Sequence, residues 1–87
     1  MDNIVIEFDL ELAKLVVAAG TGKIVTRNDK DVKLSNLFTV DPGSYSFYPI
    51  KGVIVYPLEE EEDMWTLEGK YTRGGNEDEL DLFIKEL

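Results

Sequence analysis

FYPIKGVIVY, Phe47 to Tyr56, is the stretch on which the fold turns. It is dense in β-branched and aromatic residues, carries a single charge at Lys51, has Pro49 near its start and is closed by Pro57. This composition predicts the central strand of a sheet. Alternation puts Ile50, Ile54 and Tyr56 on one face and Val53 and Val55 on the other, so both faces are apolar, as in a strand covered on two sides. Gly52 leaves room for a bulge or for the close approach of a neighbouring backbone.

Upstream of it, Lys23–Arg27 and Val32–Val40 read as two strands of a hairpin, joined by Asn28-Asp29-Lys30-Asp31, residue types that tolerate positive φ. Ser35-Asn36 interrupts the second arm and predicts a bulge or an edge there. Asp41-Pro42-Gly43-Ser44 is a turn by composition. Tyr45, Phe47 and Tyr48 after it are expected to pack in or half in the core, because a nucleic-acid stacking platform needs a basic groove and only Lys51 is near. At the start of the chain, Asn3–Phe8 alternates with period two and predicts a strand. A short helix follows, with Asp9 as N-cap, Leu12, Leu15, Val16 and Ala19 as its buried stripe, and Gly20 as its stop.

Downstream of Pro57 stand five consecutive acids, Glu59, Glu60, Glu61, Glu62 and Asp63. Their mutual repulsion predicts an exposed loop, and their exposure makes them the candidate interaction surface. Met64–Leu67 and Lys70–Arg73 read as a tight hairpin about Glu68-Gly69, with Trp65 packed into the structure. After a loop at Gly74-Gly75-Asn76, Leu80–Leu87 is the last strand, with Leu80, Leu82 and Ile84 on one face and Asp81, Phe83 and Lys85 on the other.

The chemistry that 87 residues of this composition can carry is limited. There is no cysteine and no histidine, which removes disulfides, thiolate ligands, a thiol nucleophile and the commonest general base, and fits a reducing, cytoplasmic setting. Eighteen acids against nine bases give a net charge of −9, which repels nucleic acid and anionic membranes. The one basic stretch is Lys23–Lys33, where Lys23, Arg27, Lys30 and Lys33 outnumber Asp29 and Asp31. Gly20-Thr21-Gly22-Lys23 is not a phosphate loop: it lacks a glycine at Val17 and a hydroxyl at Ile24, and it runs from helix to strand. Asn28, Asp29 and Asp31 start like a calcium loop but lack its glycine and closing glutamate, and the acidic run has no turn glycines to aim its oxygens at one centre. No catalytic, cofactor or metal residue is assigned, and no span suits a membrane.

Five segments, EFDLELAK (7–14), GKIVTRN (22–28) followed by VKL, YPIKGVIV (48–55), WTLEGKY (65–71) and DLFI (81–84), together resemble a family of small uncharacterised proteins of gut bacteria and their phages. The resemblance spans nearly the whole chain and implies a shared small fold; it implies no activity and no site residue.

The expectation is therefore a single domain over residues 1–87, mainly β (α+β): a small curled sheet or barrel of six to seven short antiparallel strands with one short helix after the first strand. In function, a small acidic non-enzymatic accessory or protein-interaction module with an unknown protein partner is expected. The alternatives are a nucleic-acid-associated protein using the 23–33 hairpin and a carboxylate-based hydrolase.

Overall fold

The computed structural model describes residues 4–43, 45–74 and 76–87. Asn3, in the expected first strand, and the loop residues Ser44 and Gly75 lie outside them. The elements are β1 (Val5–Glu7), α1 (Leu10–Ala19), β2 (Gly22–Thr26), β3 (Asp31–Leu34), β4 (Ile50–Val55), β5 (Glu60–Trp65) and β6 (Leu82–Glu86). The six strands form one sheet in the order β1-β6-β2-β3-β4-β5, antiparallel at every step. The expected mainly-β class with one short helix is what the chain adopts, as an unclosed sheet and not a barrel. Closure would pair β1 with β5, and a three-residue strand cannot cover one of six.

Register explains where the core sits. Ile6, Ile84, Ile24, Val32 and Ile54 stand side by side across five strands and make one face apolar. That row ends on β5 at Glu61. The covering layer is α1 with Leu10 and Ala13, the 35–49 segment with Leu37 and Val40, and Trp65. Ala13 is fully buried and half-buried Val16 lies against Gly22, where an added Cβ would come within 3.3 Å of the Val16 Cβ. The helix thus turns Leu10, Ala13, Val16 and Val17 inward, and Leu15 and Ala19 of the expected stripe outward. Nearly every position of LELAKLVVAA is apolar, so periodicity alone allows several stripes; the small side chain at Ala13, which lets the axis approach the sheet, selects one. Asp9 is at the N-cap position without a side-chain capping bond, and Gly20 ends the helix with φ 72°.

Two expected strands are shortened, and two aromatic side chains change place. β4 is confined to Ile50–Val55 and lies next to the edge, not at the centre. Pro49 has no N–H to pair, and the Asn36 side chain occupies the positions a strand would fill, its Nδ2 donating to the Pro49 carbonyl (2.8 Å) and its Oδ1 accepting from Lys51 N–H (3.0 Å). The same side chain explains why β3 stops at Leu34 instead of reaching Val40: beyond it the chain turns, Val40 N–H bonding back to the Asn36 carbonyl, and drops Leu37 and Val40 into the core. Tyr45 and Phe47, expected in or half in the core, are exposed, Phe47 lying under the Arg73 guanidinium (3.7 Å to the ring centre), while Tyr48 is half-buried.

Thr26–Lys30 and Thr66–Lys70 form the same turn. In each, the threonine N–H donates to the lysine carbonyl (2.9 Å in both), the threonine Oγ accepts the lysine N–H (3.0 Å in both), and the fourth residue has positive φ, 63° at Asp29 and 80° at Gly69. This is a three-residue hairpin loop closing through a left-handed position. The first joins β2 to β3. The second is the expected turn about Glu68-Gly69, but its outgoing arm, Lys70–Arg73, is not a strand, because Tyr71 N–H is taken by the Asp81 carboxylate (2.8 Å). Asp81 itself, expected on the face opposite Leu82, is fully buried ahead of β6.

Candidate interaction site

The acidic run is not a loop: Glu60–Asp63 lie within β5, an edge strand. Repulsion does not prevent this because alternation sends neighbouring carboxylates to opposite faces and the edge keeps them in water. Anchors at the two ends hold the strand in place. Trp65 is fully buried and its Nε1–H donates to the Leu80 carbonyl (2.6 Å); at the other end Tyr56 N–H donates to the Glu59 carbonyl (2.8 Å).

That last bond sets the phase of the ladder. In antiparallel pairing alternate residues bond inward, so Glu59, Glu61, Asp63 and Trp65 turn their backbone groups to β4, while Glu60, Glu62 and Met64 turn theirs away from the sheet. The outer side of β5 therefore carries open backbone donors and acceptors flanked by four carboxylates. Of the run Glu59–Asp63, only Glu60 has a cationic partner among the described ion pairs, Lys33 at 3.9 Å.

On the core side, Asp63 is half-buried: Tyr71 Oη donates to its Oδ1 (3.1 Å), and its Oδ2 is buried without a hydrogen-bond partner. Burial pushes its carboxyl above the ordinary range, the Tyr71 hydroxyl pulls it back in part, and Glu61 adds to the rise. The Tyr56 and Tyr71 phenols are pushed up as well, first by burial and then by Glu61 and Asp63 respectively. On the opposite face Lys33, Val53 and Glu62 stand in register beside the Lys51–Met64 pair and line an open depression of about 650 Å³ that crosses β3, β4 and β5 and that Asp63 also borders.

The remaining candidates resolve differently. Three of the four cations of the 23–33 hairpin are engaged: Lys23 with Asp31 (2.9 Å), Arg27 with Asp81 (3.2 Å) and over the Phe83 ring (4.8 Å), and Lys33 with Glu60, whereas Lys30 has no partner among the described ion pairs. The glycines of Gly20-Thr21-Gly22-Lys23 serve as a helix C-cap and the first residue of β2. Among the described residues, no three carboxylates gather in a way that could hold a metal ion, since β5 splits its acids between two faces. Among the described residues, no helix is long and apolar enough to cross a membrane.

Two features escaped the sequence reading. Asp81 accepts from Tyr71 N–H and Asp78 N–H (3.1 Å), Arg27 and, at 3.7 Å, Lys70, so that a single carboxylate closes the 70–81 segment. Burial acts to raise its pKa, but the two backbone N–H groups, Arg27 and Lys70 outweigh it and hold the carboxyl below its ordinary value. Asn36 is the other. The paired motifs Thr26-Arg27-Asn28-Asp29-Lys30 and Thr66-Leu67-Glu68-Gly69-Lys70 were a legible signal for the matched turns; nothing local marks Asp81 among its acidic neighbours. Searches against protein-family models, characterised proteins and solved structures found no match.

Proposed function

We propose that this chain is a small non-enzymatic protein-interaction module that engages a basic partner through the acidic strand β5. The carrying observation is the row of exposed carboxylates Glu59–Glu62, the last three on a strand anchored by Trp65 and the row balanced by one cation alone among the described ion pairs. A fixed line of like charge raises the encounter rate with an oppositely charged surface and discriminates against acidic ones. Two further observations favour binding over chemistry or nucleic acid. Asp63 is half-buried with its Oδ1 engaged by the Tyr71 hydroxyl while Glu59–Glu62 are exposed to water, an arrangement that suits recognition of charge more than general acid–base chemistry. Three of the four cations on which nucleic-acid binding would depend, Lys23, Arg27 and Lys33, are held by Asp31, Asp81 and Glu60.

The test is affinity capture from the native host on immobilised protein, run beside a variant with Glu59, Glu60, Glu61 and Glu62 changed to glutamine. Basic proteins retained at low salt by the parent and lost from the variant are the expected result. A set of bound proteins indifferent to the four substitutions and to salt would sink the proposal.

A further inference from the structure

We infer that β5 takes its partner by strand addition: an extended basic segment pairs with the open outer edge, extending the sheet from six strands to seven. This rests on the interaction-module reading and specifies its mode.

Three observations carry it. First, the backbone groups of Glu60, Glu62 and Met64 point away from β4, and β5 is last in the strand order, so the sheet offers an unfilled hydrogen-bonding edge six residues long. The opposite edge, β1, is three residues long and directs only Val5 and Glu7 outward, because Ile4 accepts from Glu86 N–H and Ile6 is next in that phase. Second, the carboxylates flanking the β5 edge decide what fits. A strand laid there finds Glu60 and Glu62 on one side and Glu61 on the other, Asp63 being half-buried against Tyr71, so lysine or arginine opposite any of the three glutamates meets an opposite charge cross-strand. A second copy of β5 would set glutamates against glutamates, which bars pairing with itself. Third, a shallow depression that crosses β3, β4 and β5 reaches the edge at Glu62 and Met64, and Met64 is half exposed there, so an apolar side chain of the added segment has a place to lie. Affinity in this mode comes from main-chain hydrogen bonds, and choice of partner from the side chains around them.

The probe is a labelled peptide of lysine, arginine and valine in strand-forming order, with a control of the same sequence N-methylated at alternate backbone nitrogens. Binding is read by anisotropy at low salt, and hydrogen exchange of the Glu60, Glu62 and Met64 amides by NMR. On the protein side, Glu62→Pro removes an outward N–H that β4 does not use, and Glu60→Gln with Glu62→Gln removes charge alone. Strand addition predicts at least a tenfold weaker complex with one of the two methylation registers, a comparable loss in Glu62→Pro, and slowed exchange at the three outward amides. If both methylated registers bind as well as the parent and those amides exchange unchanged, while the glutamine variant loses binding, the strand mode is overturned and the charge-steered module stands. If the glutamine variant also binds undiminished, both fall. Should Glu62→Pro fail to fold, the methylated peptides and the exchange readout decide alone.

Discussion

Gly52 shows how one absent side chain sets the spacing of two strands. A Cβ there would lie 2.5 Å from the Lys33 carbonyl oxygen and 2.9 Å from the Leu34 Cα, both backbone atoms that cannot step aside. Gly69 is constrained twice, by φ 80° and by the Phe8 ring 2.7 Å from the same missing atom, whereas Gly20 has φ 72° and open space. The alanine series should therefore be graded: Gly20→Ala costs about 1 kcal/mol of left-handed strain, Gly52→Ala about 2–3 from overpacking, and Gly69→Ala more than either. Urea midpoints measure it, and equal losses at all three would contradict the close contacts. The two perturbed carboxyls give opposite pH signatures. Asp81 titrates below its unfolded value, so its contribution is present above the ordinary carboxylate pKa and is lost as pH falls through the folded one. Asp63 titrates above, so stability declines as pH rises from the ordinary value through the folded one. Asp81→Asn should cost about 2–3 kcal/mol at neutral pH, because an amide keeps one acceptor oxygen for Tyr71 N–H but sets an NH2 group against Asp78 N–H, Arg27 and Lys70. Asp63→Asn should be neutral or stabilising there and remove the decline; denaturant titrations from acid to neutral pH separate the two.

At the scale of the element, β5 is a strand that its own composition opposes. It persists because β4 supplies the ladder, Trp65 pins one end and water screens the rest. Added sodium chloride should accordingly raise the melting temperature, and calcium at matched ionic strength should add nothing; a large calcium-specific shift would mean a metal site. The same charges isolate the edge. Changing Glu60 and Glu62 together to threonine improves strand propensity and removes the repulsion between copies, so the variant should gain stability and self-associate with rising concentration in sedimentation. A variant that stays monomeric at every concentration would show that charge is not what keeps this edge open.

Over the whole molecule, a net charge of −9 surrounds a sheet whose cations are largely committed to internal pairs, such as Lys85 with Asp29 (3.0 Å) and Lys23 with Asp31. Labelled single-stranded and duplex DNA should show no binding by anisotropy at near-physiological salt, and Lys30→Glu should change nothing there. Affinity in the micromolar range, steeply salt-dependent and lost in that variant, would move the reading to nucleic acid.

The sequence by itself determined the β-rich class, the helix after the first strand, the burial of Trp65, the need for space at Gly52 and that turns fall near Asn28–Asp31 and at Glu68-Gly69. Each is a local matter: period-two alternation, a helix stop, a glycine or aspartate where φ must be positive. Tertiary structure decided the rest. Whether the acids of 59–63 lie in a loop or a strand depends on β4 beside them, which no local propensity contains. The end of β3 depends on where the Asn36 amide meets Pro49 and Lys51, and the state of Asp81 on Arg27, Lys70 and Tyr71, up to 54 residues away along the chain. The candidate site belongs to this second group, because an open edge is a property of strand order, and strand order is set only when the ends of distant segments meet.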